Sequence, residues 1–357
     1  MRYPKNLSEH GTIGFVAPSF GCATEPYHTA FLNAQKKFRE MGHPLDLGPN
    51  CYADCGIGIS NTPEACGREL TEYYCSDKNE VLISCGGGEL MCETLDAVDF
   101  EQIRAAVPKW YMGYSDNTNM TYLLATLCDT ASVYGPCAAA FGMEPWHQSL
   151  SDAYALLRGQ KHTVNGYDLW EKESLKDAEH PLVPYHVTEQ RILHVFPEPT
   201  EALTVQGRLI GGCVDCLVNL LGTTYDKTTG FVEKYKNDGM IWFLESCDLN
   251  VMATLALCRD DLDVVGVDLG HHHGHVRGEA VRTVVGHHRA FSLGISLFQS
   301  LDLVLGHVDG AEDEVHLCGD LFHLGSVLHH HPLDALGHRG GHGPAAAHSL
   351  FIRFACA

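Results

Sequence analysis

The sequence predicts an α/β protein. An N-terminal domain with a mostly parallel sheet and flanking helices is followed by a smaller C-terminal α/β domain. Three observations predict it. Short apolar runs alternate with helical patterns through the first 140 residues. Several of those runs end abruptly in Gly, Ser or Pro, as at Val81–Ser84 before Cys85-Gly86-Gly87-Gly88. A second set of such elements begins after a Pro-rich stretch at residues 144–202.

In order, Thr12 to Ala17 reads as a buried parallel strand stopped by Pro18. Pro26 to Met41 has Phe31, Ala34, Phe38 and Met41 at helical spacing, with Gly42 as its C-terminal cap. Thr62-Pro63 opens a helix that runs to about Tyr74, with Thr as cap and Pro in the first turn. Val81 to Ser84 is a strand, and one helix is expected from Leu90 to Val107, where Pro108 resets the chain. Trp110-Tyr111-Met112 leads into Gly113-Tyr114-Ser115-Asp116-Asn117, and a helix follows from Asn119 to Cys128. Ser132 to Tyr134 is another short strand, ended by Gly135-Pro136. Residues 1–143 are therefore taken as the nucleophile domain and 144–202 as a connecting segment with room for a hairpin. Residues 203–258 begin the C-terminal domain: a Gly-rich run at 206–212, a helix from Val214 to Leu221, and a strand at Met240 to Leu244 with Glu245 at its end.

Beyond residue 258 the composition changes. Fifteen of the 23 histidines fall in residues 259–357, which contain no Lys, Asn, Tyr, Trp or Met. Three readings stand: a His-rich metal-binding tail around His271-His272-His273, a solvated tail, or a frame disruption or inversion in the gene. The abundant Leu and Val argue against the second, and the simultaneous loss of five residue types favours the third.

A formal charge of −21 argues against nucleic acid and against an anionic membrane surface as partners. With no apolar run of membrane-spanning length and no signal-peptide pattern, the cytoplasm is the expected compartment. The fifteen cysteines are then read as mostly buried thiols. Cys51-x3-Cys55 and Cys213-x2-Cys216 have spacings a zinc site could use, but no second well-placed pair accompanies either, so no metal or cofactor is expected.

A strand turning sharply into a helix with Ser at the turn is a nucleophile elbow, although the usual last Gly is Asn117 here. The competing reading of Ser115 is a helix N-cap. Three features converge at predicted strand ends: the triple glycine, Ser115 and Glu245. Together they offer a loop of backbone donors, a nucleophile and a carboxylate able to orient a His base.

At these residues the chain resembles the serine peptidases of family S66, the LD-carboxypeptidases, and their microcin-immunity relatives. The matching stretches run in order: Gly14 to Ser19, Leu82 to Gly88, Gly113 to Asn117, Tyr134 to Pro136, Gly207 to Cys213 and Phe243 to Ser246. They cover roughly residues 10 to 255. The resemblance implies a Ser-Glu-His triad with Ser115 as nucleophile and Glu245 orienting the base. It implies an oxyanion hole from the N–H groups of Asp116 and Gly87, with Gly86 or Gly88 as neighbouring choices. No metal is required. The implied substrate is a muropeptide cut at an L,D-bond before a terminal D-Ala, in cytoplasmic peptidoglycan recycling by a homodimer. Cleavage of a peptidyl-nucleotide antibiotic is the alternative. Members carry the catalytic His near the C-terminus, in a Gly-His stretch followed by Pro. Gly341-His342-Gly343-Pro344 and His331-Pro332 are the nearest segments here, and both lie in the anomalous tail.

Overall fold

The computed structural model describes residues 1–55, 58–192, 204–247 and 249. The described chain divides into two compact units, one of residues 1–191 and 210–235, the other of residues 192, 204–209, 236–247 and 249. The anomalous tail, with His331 and His342, lies outside the described residues.

The first unit is built on a five-stranded, all-parallel sheet in the order β2-β1-β3-β4-β5. Its strands are β1 (Ile13–Val16), β2 (Leu45–Leu47), β3 (Val81–Ser84), β4 (Trp110–Gly113) and β5 (Val133–Tyr134). Every residue of β1 and β3 is buried, which explains why these runs are continuously apolar rather than alternating. The pleat still sorts them onto two faces. Ile13 and Phe15 of β1, with Ile83 and Met112, pack under α1 (Tyr27–Glu40) and α5 (Gln148–Leu157). Phe15 meets Phe31 edge-on at 5.2 Å between ring centroids. Val16, Leu82 and Tyr111 face the other way. They pack against α2 (Pro63–Cys75), α3 (Phe100–Ala105) and α4 (Thr118–Thr126), which supply Leu70, Tyr74, Ile103, Met120 and Leu124. Thr62 caps α2, accepting from Ala65 N–H at 3.3 Å, and Gly42 takes φ +91° just after α1.

Two expectations are corrected. The single helix expected from Leu90 to Val107 is a 3-10 turn, Met91–Ala97, followed by the separate α3. Asp99 causes the break: its carboxylate caps α3 by accepting Gln102 N–H at 2.8 Å, and its own N–H is taken by Thr71 Oγ1 at 3.0 Å. The stretch after residue 143, expected to be mostly connection, contributes α5 to the core through Leu150, Ala153 and Leu157. A hairpin of β6 (Leu169–Glu171) and β7 (Val187–Gln190) follows, antiparallel and largely exposed.

The segment β8 (Arg208–Cys213) begins in the second unit and continues into α6 (Val214–Leu220) and α7 (Thr228–Tyr235) of the first. In the second unit, Arg208 N–H donates to Gly239 O at 2.9 Å, and Arg208 pairs with Asp238. There β9 (Met240–Glu245) runs buried through Met240, Ile241 and Trp242 and ends at Glu245.

Candidate active site

In a sheet ordered 2-1-3-4-5 the chain winds away from β1 in both directions, and the crevice opens where β1 meets β3. The carboxyl ends of β1, β3, β4 and β5 carry Ser19, the glycine loop, Ser115 and Tyr134. The sheet alone brings these segments of distant sequence together.

Ser115 has φ +59°, in the left-handed region where a residue with a Cβ is strained. An N-cap would be extended, so the helix-cap reading of Ser115 does not hold; the residue is the turn itself, opening a 3-10 segment, Ser115–Asn117, that leads into α4. Such a conformation persists only when its surroundings over-determine it. Ser115 N–H donates to the Tyr134 hydroxyl at 2.8 Å. Ser115 O accepts from Thr118 Oγ1 at 2.7 Å. The same Thr118 oxygen accepts Cys213 N–H at 2.9 Å, so the start of α6 docks on the first turn of α4.

Asn117 stands where a glycine was expected, and its side chain shows why. Nδ2 donates to Gly86 O at 2.9 Å and to Tyr114 O at 3.1 Å, while Oδ1 accepts from Tyr111 Oη at 2.5 Å. The small residue needed for close packing is Gly113 instead: a Cβ there would come within 2.6 Å of Asn117 Cγ. Asn117 thereby ties the nucleophile turn to the glycine loop.

That loop lies beside the serine. A Cβ on Gly87 would meet Ser115 Cβ at 3.3 Å and Ser115 Oγ at 3.4 Å. Its neighbours face elsewhere: Gly86 is nearest Phe20 O, and a Cβ on Gly88 would come within 2.1 Å of Ser19 Oγ. Of the three glycines, Gly87 is the one next to the hydroxyl. Gly87 O is held by Phe20 N–H at 3.0 Å. A hydroxyl between a glycine loop and the first turn of a helix is placed to have negative charge on an attacked carbonyl met by backbone donors.

The titratable groups around the turn are shaped by burial. Asp116 is 2% exposed; burial raises its pKa, and hydrogen bonds from Ser19, Met91, Cys216 and Asn119 pull it back. Burial pushes the Cys137 thiol up to about 12. The Cys216 thiol is raised by its hydrogen bond with Cys213 and by burial, so it is a neutral thiol here.

Ser115, Gly87 and Asp116 are thus brought together in the first unit. Glu245 closes β9 in the second unit, and both histidines considered for the base lie outside the described residues. Ser19, Tyr134 and the side chain of Asp116 were not singled out from sequence. Ser19 and Tyr134 fell in the stretches that carry the resemblance and at or just beyond predicted strands, but no role was read for them. Among the described residues no group of three or more His, Cys, Asp or Glu could hold a metal, and the twelve described cysteines are thiols. No helix among them is long and apolar enough to cross a membrane.

With this geometry in view, residues 13–135 match the family model of the LD-carboxypeptidase N-terminal domain, peptidase family S66. Solved structures share the fold of this chain. The microcin C7 self-immunity protein MccF, wild type without ligand, is 22% identical with TM-score 0.62, covering 79% of this chain and 86% of that one. An MccF-like protein from Bacillus anthracis str. Ames is 19% identical with TM-score 0.58, covering 74% and 76%. Another from Streptococcus pneumoniae, in complex with AMP, is 18% identical with TM-score 0.58, covering 72% and 79%. No curated protein matches the chain. The matched residues of the S66 domain hold the glycine loop, the serine turn and Tyr134.

Proposed function

We propose that this chain is a serine hydrolase that cleaves an amide bond of a small peptide through an acyl-enzyme. The observation that carries this reading is Gly87 packed against Ser115 Oγ on a turn held at φ +59°. Ser115 Oγ attacks the carbonyl carbon while a His base takes its proton. The negative oxygen so formed is held by the N–H groups of Gly87 and Asp116. When this adduct collapses, the C–N bond breaks and the amine leaves with the proton from the imidazolium. Water then repeats the sequence and frees the acid. Glu245 is the residue to orient the base; His342 and His331 lie in the nearest matching segments of sequence, and neither is assigned as the base.

The substrate reading is the L,D-bond before the terminal D-Ala of a muropeptide, cleaved in the cytoplasm by a homodimer as a step in peptidoglycan recycling. The S66 domain match supports it. A second reading, hydrolysis of a peptidyl-nucleotide, is favoured by structural neighbours: MccF has been solved in complex with aspartyl sulfamoyl adenosine and with glutamyl sulfamoyl guanosine. A His-rich metal-binding protein or an inactive relative remains as the third.

The experiment offers the full chain a muramoyl tetrapeptide ending in D-Ala and, separately, an aspartyl-nucleotide phosphoramidate. Release of D-Ala that disappears in Ser115→Ala supports the first reading, and release of the nucleotide amine supports the second. Equal background from wild type and Ser115→Ala on both substrates sinks the hydrolase reading.

A further inference from the structure

The side chain of Asp116 has no part in the reading above, which uses only its backbone N–H. Yet that carboxylate is 2% exposed and meets hydrogen-bond donors from four segments. Oδ2 accepts from Ser19 Oγ at 2.5 Å and from Met91 N–H at 2.9 Å. Oδ1 accepts from Asn119 Nδ2 at 3.0 Å and, more weakly, from Cys216 Sγ at 3.8 Å. Met91 N–H and the Asn119 NH2 can only donate, one to each oxygen, so a group that accepts at both positions fits. An amide of the same shape would have to turn its NH2 either onto Ser19 and Met91 or onto Asn119 and Cys216. Placing a charge here costs desolvation, so its retention calls for a reason.

The geometry supplies one. Ser19 lies beside the glycine loop and Met91 follows it. Ser19 Oγ lies against Gly88, where a Cβ would approach it to 2.1 Å. The next residue, Phe20, holds Gly87 O through its N–H at 3.0 Å. Met91 N–H opens the 3-10 turn into which the loop runs. Asp116 Oδ2 is therefore a point at which the nucleophile turn is bound to Ser19, which lies against Gly88, and to Met91, where the loop ends. An oxyanion hole needs both donors at hydrogen-bond distance from one oxygen, and their spacing is the quantity this tie fixes. A misplacement of about 1 Å costs on the order of 100-fold in rate.

We propose that the Asp116 carboxylate is a positioning residue that holds the Gly87 and Asp116 amides in register by clamping the glycine loop to the nucleophile turn through Ser19 and Met91. The proposal rests on Ser115 being the nucleophile. Asp116 acts here through other groups and does not itself touch substrate.

The test uses the full chain and a fluorophosphonate, whose phosphoryl oxygen enters the hole as the serine attacks phosphorus and fluoride leaves. The second-order labelling rate is measured for wild type, Ser115→Ala, Ser19→Ala, Ser19→Cys and Asp116→Asn, each alongside its melting temperature. Expected are a loss of about 10-fold for Ser19→Ala, an intermediate loss for Ser19→Cys, whose thiol is a weaker donor, and a loss of about 100-fold for Asp116→Asn. These losses should persist at temperatures where each variant is fully folded. A purely structural role would instead lower the melting temperature and leave folded protein labelling at the wild-type rate; that result for Ser19→Ala overturns the proposal. If Asp116→Asn does not fold, the Ser19 pair decides alone. Wild type labelling no faster than Ser115→Ala would remove the hydrolase reading and this proposal with it, whereas normal wild-type labelling with an unaffected Ser19→Ala would remove this proposal only.

Discussion

The carboxyl ends of β1, β3 and β4 and the β6–β7 hairpin handle polar groups in opposite ways. At the strand ends, Asp116 and Asn117 of the nucleophile turn, and Glu69 reaching in from α2, are at most 2% exposed, and every one has specific protein partners. In β7 of the hairpin, Thr188, Glu189 and Gln190 face solvent. The difference follows from topology. A parallel sheet covered by helices on both faces keeps water from the polar groups buried beneath its end loops, so each of them must find a protein partner. A two-stranded ribbon leaves one face wet, and water does the same work with no geometric demand. Precise placement, which a nucleophile turn needs, is a by-product of dry surroundings.

Four substitutions break or sharpen this contrast. The largest effect is expected at the strand end itself: Ser115→Ala should lower turnover by about 10⁶-fold if the serine acts within a triad, measured as product release from whichever substrate is cleaved. Next, Asn117→Ala removes donors to Gly86 O and Tyr114 O and the acceptor of the buried Tyr111 hydroxyl. A loss of about 2–4 kcal/mol in urea unfolding is expected.

Glu69 gives a third test, read against pH. Its carboxylate accepts Ala17 N–H and Asn50 N–H, each at 2.8 Å, and burial raises its pKa from 4.5 to about 7. Stability from this group is fully present below pH 4.5. It declines as pH rises through 7, because the unfolded chain releases the proton first. Wild type should lose about 3 kcal/mol across that window, while Glu69→Gln lacks this pH dependence. Parallel slopes for the two proteins would contradict a buried, proton-retaining Glu69. The smallest effect belongs to the hairpin: Glu189→Ala should change stability by less than about 0.5 kcal/mol. A larger loss there would show that the hairpin is not as solvated as its exposure suggests.

Legibility followed the same divide. Strands β1, β3, β4 and β5 were visible as apolar runs with abrupt stops, and α1 and α2 as periodic segments with caps. The glycine loop and Ser115 were visible because both fall just past such stops. The break before α3 was missed because the apolar spacing of residues 90–107 continues across it, whereas the capping carboxylate of Asp99 decides the local structure. Strand β2, only three residues long and half-buried, left no pattern to read. Asn117 looked like a departure from the nucleophile-turn pattern until Gly113 beside it showed where the small residue was needed.

By itself the sequence determined strands β1, β3, β4 and β5, helices α1 and α2, the parallel class of the sheet and the position of a serine at a strand-to-helix turn, because those depend on periodicity and local stereochemistry. Only the tertiary structure decided which glycine adjoins the hydroxyl, that Ser115 takes φ +59°, and that Ser19 and Met91 share one oxygen of Asp116. Those contacts join residues 97 and 25 positions apart, Ser19 to Asp116 and Met91 to Asp116, and no local pattern encodes a hydrogen bond closed by the packing of a sheet.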